Sequence, residues 1–187
     1  YESGAVRIPR LIDALRLTAE LDWMVNVEIK AFPLDPPGLA QAALEAIVDV
    51  GIEGRVLISS FDHRILASMA GSCRESRLAF GLLSETPLDQ LSRYATEIVG
   101  CSTVHVSAES LGAGSIAYRR SPGVGALRAT EVKALTDRRV PVLVYTVNDH
   151  APSGLANHLW QMGVAGFFTD DPRGLVGSIA TWDGLDP

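Results

Sequence analysis

The chain has 187 residues, 47% hydrophobic and 20% charged, with a net charge of −6 at pH 7. That size and apolar content suit one soluble domain over residues 1–187, with a sizeable core. The acidic balance and the lack of a basic stripe argue against nucleic acid as a partner, and no apolar run approaches the length of a membrane span. Cys73 and Cys101 have neither metal-ligand spacing nor the number for a disulfide framework. Buried thiols and a cytoplasmic setting are therefore expected. The first residue is Tyr1 rather than Met, which leaves room for an N-terminal piece upstream.

In chain order, Leu11, Ile12, Leu15 and Leu17 predict a helix from about Pro9 to Leu21, with Pro9 in its first turn. Trp23 to Lys30 reads as a strand. Val25, Val27 and Ile29 point one way, and Asn26, Glu28 and Lys30 the other. A row of amide, carboxylate and ammonium is expensive to bury unless the groups pair or hold a ligand or metal. The plain alternative is an exposed polar face on an edge strand. The segment Phe32–Pro37 breaks the strand, and a helix follows from about Gly38 to Val50 with Leu39, Ala43, Ala46, Ile47 and Val50 on one face.

Arg55–Phe61 reads as a second strand, with Asp62 capping the next helix at His63. Arg77–Leu83 is a third strand. Thr86-Pro87 opens a helix whose apolar side is Leu88, Leu91, Ala95 and Ile98. Ser102–Ser107 is a fourth strand, followed by a glycine-rich loop from Leu111 to Gly125 that carries Arg119 and Arg120. A helix from Thr130 to Arg138 precedes a fifth strand, Pro141–Asn148. Pro152–Met162 is helical, Ala165–Asp170 is a sixth strand, and a short helix spans Arg173–Thr181 with Asp171 as its cap.

Strands alternating with helices at this spacing predict parallel βα units. An open doubly wound sheet and a (β/α)8 barrel both fit. Polarity favours the barrel, because strands covered by helices on both faces read almost continuously apolar. Here Asn26, Glu28 and Lys30 share a side, as do Ser59 and Phe61, and Thr146 and Asn148. The expected fold is thus an α/β (β/α)8 TIM barrel truncated to about six βα units, since a complete one needs at least about 200 residues.

Several stretches together resemble the glycerophosphodiester phosphodiesterase family. They are Ile8-Pro9-Arg10-Leu11, Asn26-Val27-Glu28-Ile29-Lys30, Leu57-Ile58-Ser59-Ser60-Phe61-Asp62, Gly81-Leu82-Leu83, Val144-Tyr145-Thr146-Val147-Asn148 and Gly163–Asp170. The resemblance implies a (β/α)8 barrel of lipid metabolism that hydrolyses glycerophosphodiesters to glycerol 3-phosphate and an alcohol with a divalent metal, magnesium or calcium. The family's His-Arg-Gly, Glu-x-Asp and His-Asp motifs have no match here, so the chain corresponds to the last six of eight units.

Glu28 resembles the family's third metal carboxylate, and a hard cation does want such oxygens. A simple salt bridge is the alternative. Lys30, two residues on, is the candidate catalytic and substrate-binding cation, placed to neutralise a phosphate oxygen or the charge developing on it; pairing with Glu28 alone is the alternative. Phe61 and Asn148 are candidate substrate-binding residues, against lumen packing for the first and a turn for the second. Tyr145 shares a side with Leu143 and Val147 and is expected to pack against helices. Asp170 is placed to support the site. His63, His105, His150 and His158 lack ligand spacing, and His105 reads as a satisfied core histidine. Arg119 and Arg120 are placed to reach an anionic substrate or to sit in a solvated insertion.

Two functions of different class follow. One is a metal-dependent phosphoric diester hydrolase acting on a small-molecule glycerophosphodiester, with sphingomyelin or lysolipid cleavage as a variant of the same site. The other is a non-catalytic barrel remnant that binds a phosphorylated ligand or a protein. With two units absent, Trp23–Lys30 and Ala165–Asp170 are expected to be open edges.

Overall fold

The computed structural model of the protein describes residues 7–30, 38–85, 88, 90–108, 129–151 and 154–182. Six strands alternate with helices. The strands are β1 (Val25–Glu28), β2 (Val56–Ser60), β3 (Ala79–Ser84), β4 (Thr103–Ser107), β5 (Val142–Tyr145) and β6 (Gly166–Phe167). They are hydrogen-bonded in chain order in one sheet, with β1 and β6 at its ends. The β1–β2, β4–β5 and β5–β6 pairs are parallel, as βα connections require. The helices are α1 (Leu11–Glu20), α2 (Leu39–Val50), α3 (His63–Ser72), α4 (Leu91–Arg93), α5 (Ala129–Asp137), α6 (Leu155–Gln161) and α7 (Pro172–Ile179). The chain divides into two compact units, Tyr1–Gly81 and Leu82–Pro187.

In the first unit, α1 packs on α2, with Leu15, Ala43 and Ile47 buried between polar outer faces. The helix begins at Leu11, two residues later than expected, with Arg10 at the N-cap, so Pro9 precedes the helix rather than lying in its first turn. Leu17 also departs from its predicted stripe and is exposed. Residues 15 and 17 lie about 200° apart on a helix, so a face that buries one sheds the other. β1 is shorter than its predicted range. Trp23 and Met24 precede it and are exposed.

On the apolar side, Val27, Ile29, Val56 and Ile58 are buried. The β1 and β2 ends are joined by a side chain as well as by the ladder. Ile29 N–H donates to the Ser59 carbonyl (2.7 Å), while the Ser60 hydroxyl donates to the Ile29 carbonyl (2.6 Å) and accepts from Asp62 N–H (3.0 Å). Asp62 caps α3 as expected, accepting from the backbone of Arg64 and Ile65. Hydrogen bonds from Arg64, then those backbone donors, hold its carboxyl below the usual carboxylate range.

In the second unit, α4 runs on as a π-helical stretch, Tyr94–Val99. This corrects the predicted apolar side of that helix. The wider winding brings Val99 under Leu91 and Ala95, which are all buried, and turns Ile98 out to solvent. Val104, Val106, Val142 and Val144 are fully buried on one side of β4 and β5. Cys101 is buried, and burial pushes its thiol up to about 12; Cys73 is half-buried and both are free. β6 has two ladder residues where six were expected. Even so, Ala165 N–H, Phe168 N–H and the Phe168 carbonyl still bond to Val142, Val144 and Val147 on the neighbouring segment. Phe167 lies against Trp182 (6.2 Å between ring centres), and Trp182 against Trp160 of α6 (6.0 Å), which docks the C-terminal end.

Asp149 and Asp171 begin the last two helices. Asp149 accepts from Ala151 and Leu155 N–H, and Asp171 from Gly174 N–H (2.9 Å), with Pro172 in the first turn. In each case a Cβ on a glycine at the helix start, Gly154 at the N-cap position or Gly174 in the first turn, would overlap the aspartate's carboxylate.

Candidate functional site

The β1–β2 register places Glu28 beside Ser59, with Asn26 beside Leu57. Side chains paired across a parallel ladder leave the same face, so Glu28, Ser59 and, one pleat on, Lys30 and Phe61 share a side. It is opposite the buried valines and isoleucines. Asn26 and Lys30 are exposed and Glu28 is half-buried, so the polar row is open to water rather than covered as a two-sided burial would require. Lys30 keeps its ammonium hydrated (77% exposed), while its Nζ lies 3.7 Å from a Glu28 carboxylate oxygen. That pair is too long for a hydrogen bond, so it is a loose charge pairing that a ligand can open. Phe61 follows the last residue of β2 and is 44% exposed. The sequence-predicted residues of this unit therefore gather at one strand end.

Ser59 was noticed in the sequence only as a neighbour of Phe61. It is fully buried, and among the described residues its hydroxyl has no hydrogen-bond partner. Nothing in the alternation Ser59-Ser60 tells which hydroxyl is used. The structure gives Ser60 two bonds and Ser59 none.

In the second unit, Asn148 lies at the C-terminal end of the fifth extended segment and is exposed. Its amide donates to the Asp170 carboxylate (2.8 Å), and its carbonyl accepts from Asp170 N–H (2.9 Å) and the Thr169 hydroxyl (3.1 Å). His150 Nε2 lies 3.0 Å from both the Val147 carbonyl and the Thr169 hydroxyl. This network clasps the ends of β5 and β6, and it uses Asp170 to hold Asn148. Thr169, which the sequence reading passed over, is its hub.

Tyr145 corrects an expectation. Register pairs it with Ser107, and Leu143 with His105. This side is half-buried at Leu143 and Tyr145, whereas Val142 and Val144 opposite are fully buried. Tyr145 thus does not share the buried environment of Val147, and its hydroxyl reaches the Ser84 carbonyl (3.2 Å).

His105 is buried as expected but only half satisfied. Nε2 lies 3.0 Å from the Thr103 hydroxyl, the ring lies 5.3 Å from that of Phe168, and Nδ1 has no partner. Burial lowers its pKa to about 4, so it is neutral at pH 7. Among the described residues no three Asp, Glu, His or Cys side chains gather as a metal site. Arg119 and Arg120 lie outside the described residues, as do the whole Leu111–Gly125 loop and the Phe32–Pro37 break. Among the described residues no helix is long and apolar enough to cross a membrane.

The sequence pattern of the glycerophosphoryl diester phosphodiesterase family matches residues 2–173. The chain belongs to this family. A glycerophosphodiester phosphodiesterase of Caldanaerobacter subterraneus is 26% identical over 173 residues, 92% of this chain and 62% of the relative. An uncharacterised Bacillus subtilis protein, YqiK, is 30% identical over 169 residues, 90% of this chain and 61% of the relative. The chain thus spans about three fifths of the length of these relatives.

Among solved structures, one assigned as a glycerophosphoryl diester phosphodiesterase from Silicibacter pomeroyi superimposes with a TM-score of 0.73 at 20% identity, covering 94% of this chain and 57% of that one. A glycerophosphodiester phosphodiesterase from Parabacteroides distasonis gives 0.68 at 15% identity, covering 92% and 64%. At such identities the likeness shows the fold: six βα units of a truncated (β/α) barrel.

Proposed function

We propose that the protein this chain belongs to is a divalent-metal-dependent glycerophosphodiester phosphodiesterase, releasing glycerol 3-phosphate and an alcohol. The observation that carries the reading is the pairing of Glu28 and Lys30 on one side of the β1 end, 3.7 Å apart and with Lys30 open to solvent, in a chain whose family pattern spans residues 2–173. Residues 1–187 are read as one catalytic domain and the compartment as the cytoplasm, where Cys73 and Cys101 stay reduced.

Glu28 fits a hard cation, magnesium or calcium, as one carboxylate ligand, and an unpaired buried hydroxyl stands beside it. The described residues hold no complete ligand set, so further ligands come from elsewhere in the protein. When bound, the cation supplies charge to the phosphate and lowers the pKa of the attacking hydroxyl or water. Lys30 contributes on its own account. Its ammonium leaves the loose pair with Glu28 to meet a non-bridging phosphate oxygen, and it stabilises the charge that builds there in the transition state. Phe61 offers an apolar wall to the alcohol or glycerol carbons.

The test is release of glycerol 3-phosphate from glycerophosphocholine by the complete gene product. The reading expects activity that a chelator abolishes and that Glu28→Gln reduces. A chelator-insensitive reaction, or full activity in the variant, removes this reading. The alternative is a non-catalytic barrel that binds a phosphorylated ligand. In that case binding would persist with no turnover.

A further inference from the structure

We infer that Ser59 is a positioning residue for the Glu28 carboxylate: its hydroxyl is held in reserve in the cation-free protein and donates to a Glu28 oxygen when that carboxylate turns from Lys30 to a cation. The inference deepens the proposed function and rests on it.

Four observations converge on this hydroxyl. Ser59 is fully buried, and its Oγ makes no hydrogen bond, a state that carries the desolvation cost of the group without return. It is the residue paired with Glu28 across the β1–β2 ladder, so both side chains leave the same face at the same height. Its backbone is tied to the end of β1 twice, since Ile29 N–H bonds its carbonyl and the Ser60 hydroxyl bonds the Ile29 carbonyl. Finally, the charge pair that engages Glu28 is a long one, with Lys30 Nζ at 3.7 Å and the carboxylate itself half-buried.

A carboxylate that ligates through one oxygen leaves the other to be fixed, and such outer partners set both the orientation and the basicity of the ligand. The buried site of Ser59 excludes water, so its proton has no competing acceptor once Glu28 arrives. The same burial argues against direct contact between this hydroxyl and substrate.

The experiment titrates the complete gene product with calcium and with magnesium by calorimetry, for wild type, Ser59→Ala, Ser59→Thr and Glu28→Gln, alongside melting curves without cation. Ser59→Ala is expected to weaken cation binding about tenfold, with the KM for glycerophosphocholine at saturating cation shifted less than about twofold. Its melting temperature without cation should hold or rise, since an unpaired buried hydroxyl is lost. Ser59→Thr keeps the donor and should recover most of the affinity.

If Glu28→Gln loses the cation but Ser59→Ala binds it like wild type, the inference fails while the proposed function stands. If Glu28→Gln binds normally, the proposed function fails first. A rise in KM with unchanged cation affinity would hand Ser59 to the substrate, and a marked fall in cation-free melting temperature would make it a plain structural serine. Either result overturns the inference.

Discussion

His105 should make the fold acid-sensitive in a defined window. Its pKa falls from 6.5 to about 4 because it is buried, and the residue is 0% exposed. As pH falls below 6.5, the unfolded chain takes up a proton at this position and the folded chain does not. Stability is therefore lost between about pH 6.5 and pH 4 and is fully present above that range. At 1.36 kcal/mol per pKa unit, the loss across the window is on the order of 3 kcal/mol. The assay is urea unfolding at a series of pH values for wild type and His105→Gln. The exposed carboxylates titrate in both proteins, so they cancel in the difference. Wild type should lose on the order of 3 kcal/mol more than the variant by pH 4. Parallel profiles, or an NMR titration of the His105 ring near 6.5, would refute the argument.

Ser60→Ala removes both bonds that join β1 to β2 and α3, and should cost about 2 kcal/mol. That corresponds to a fall in melting temperature of about 4–8 °C by calorimetry. Glu28→Gln should lower turnover of glycerophosphocholine by about 10²–10³-fold, as for loss of one group that stabilises transition-state charge. Asp62→Ala should cost about 1 kcal/mol through the lost cap, measured by denaturant midpoint. Because the folded carboxyl of Asp62 titrates below the ordinary 3.8, its contribution is present above that pH and fades as the pH falls further. The acid limb of the stability curve should flatten in Asp62→Asn.

What the sequence made legible follows the range of the forces involved. The two capping aspartates, Asp62 and Asp171, were readable because the cap is chemistry between residues two or three apart. The alternation of strand and helix was readable because each element carries its own periodicity. The misreadings involve forces that periodicity does not encode. Ile98 sits where an α-helical count would bury it, yet a π-winding buries Val99 instead. Tyr145 alternates with Leu143, but which side of the strand is deeply buried depends on what covers it.

Glu28 and Lys30 lie 3.7 Å apart at one strand end, where the period-two pattern placed them. Thr169 and Ser60 were missed because a hydroxyl's partners lie far off in the chain, 21 and 31 residues away. The idle hydroxyl of Ser59 has no sequence signature at all, since only coordinates show that a polar atom lacks a partner.

The glycines at 154 and 174 change how substitution data on this chain should be scored. Each leaves room for an aspartate's oxygen that a methyl group would fill, with His150 also close to Gly174 and the Ala151 carbonyl close to Gly154. An alanine scan would mark both as sensitive and tempt a reading in terms of flexibility. The sensitivity belongs instead to a two-residue unit. Gly174→Ala should be milder in an Asp171→Ala background than alone, whereas at Gly154 the Ala151 carbonyl, 2.9 Å from an added Cβ, keeps part of the penalty when Asp149 is removed. Variant libraries that shuffle these positions independently will discard combinations that are viable only as couples.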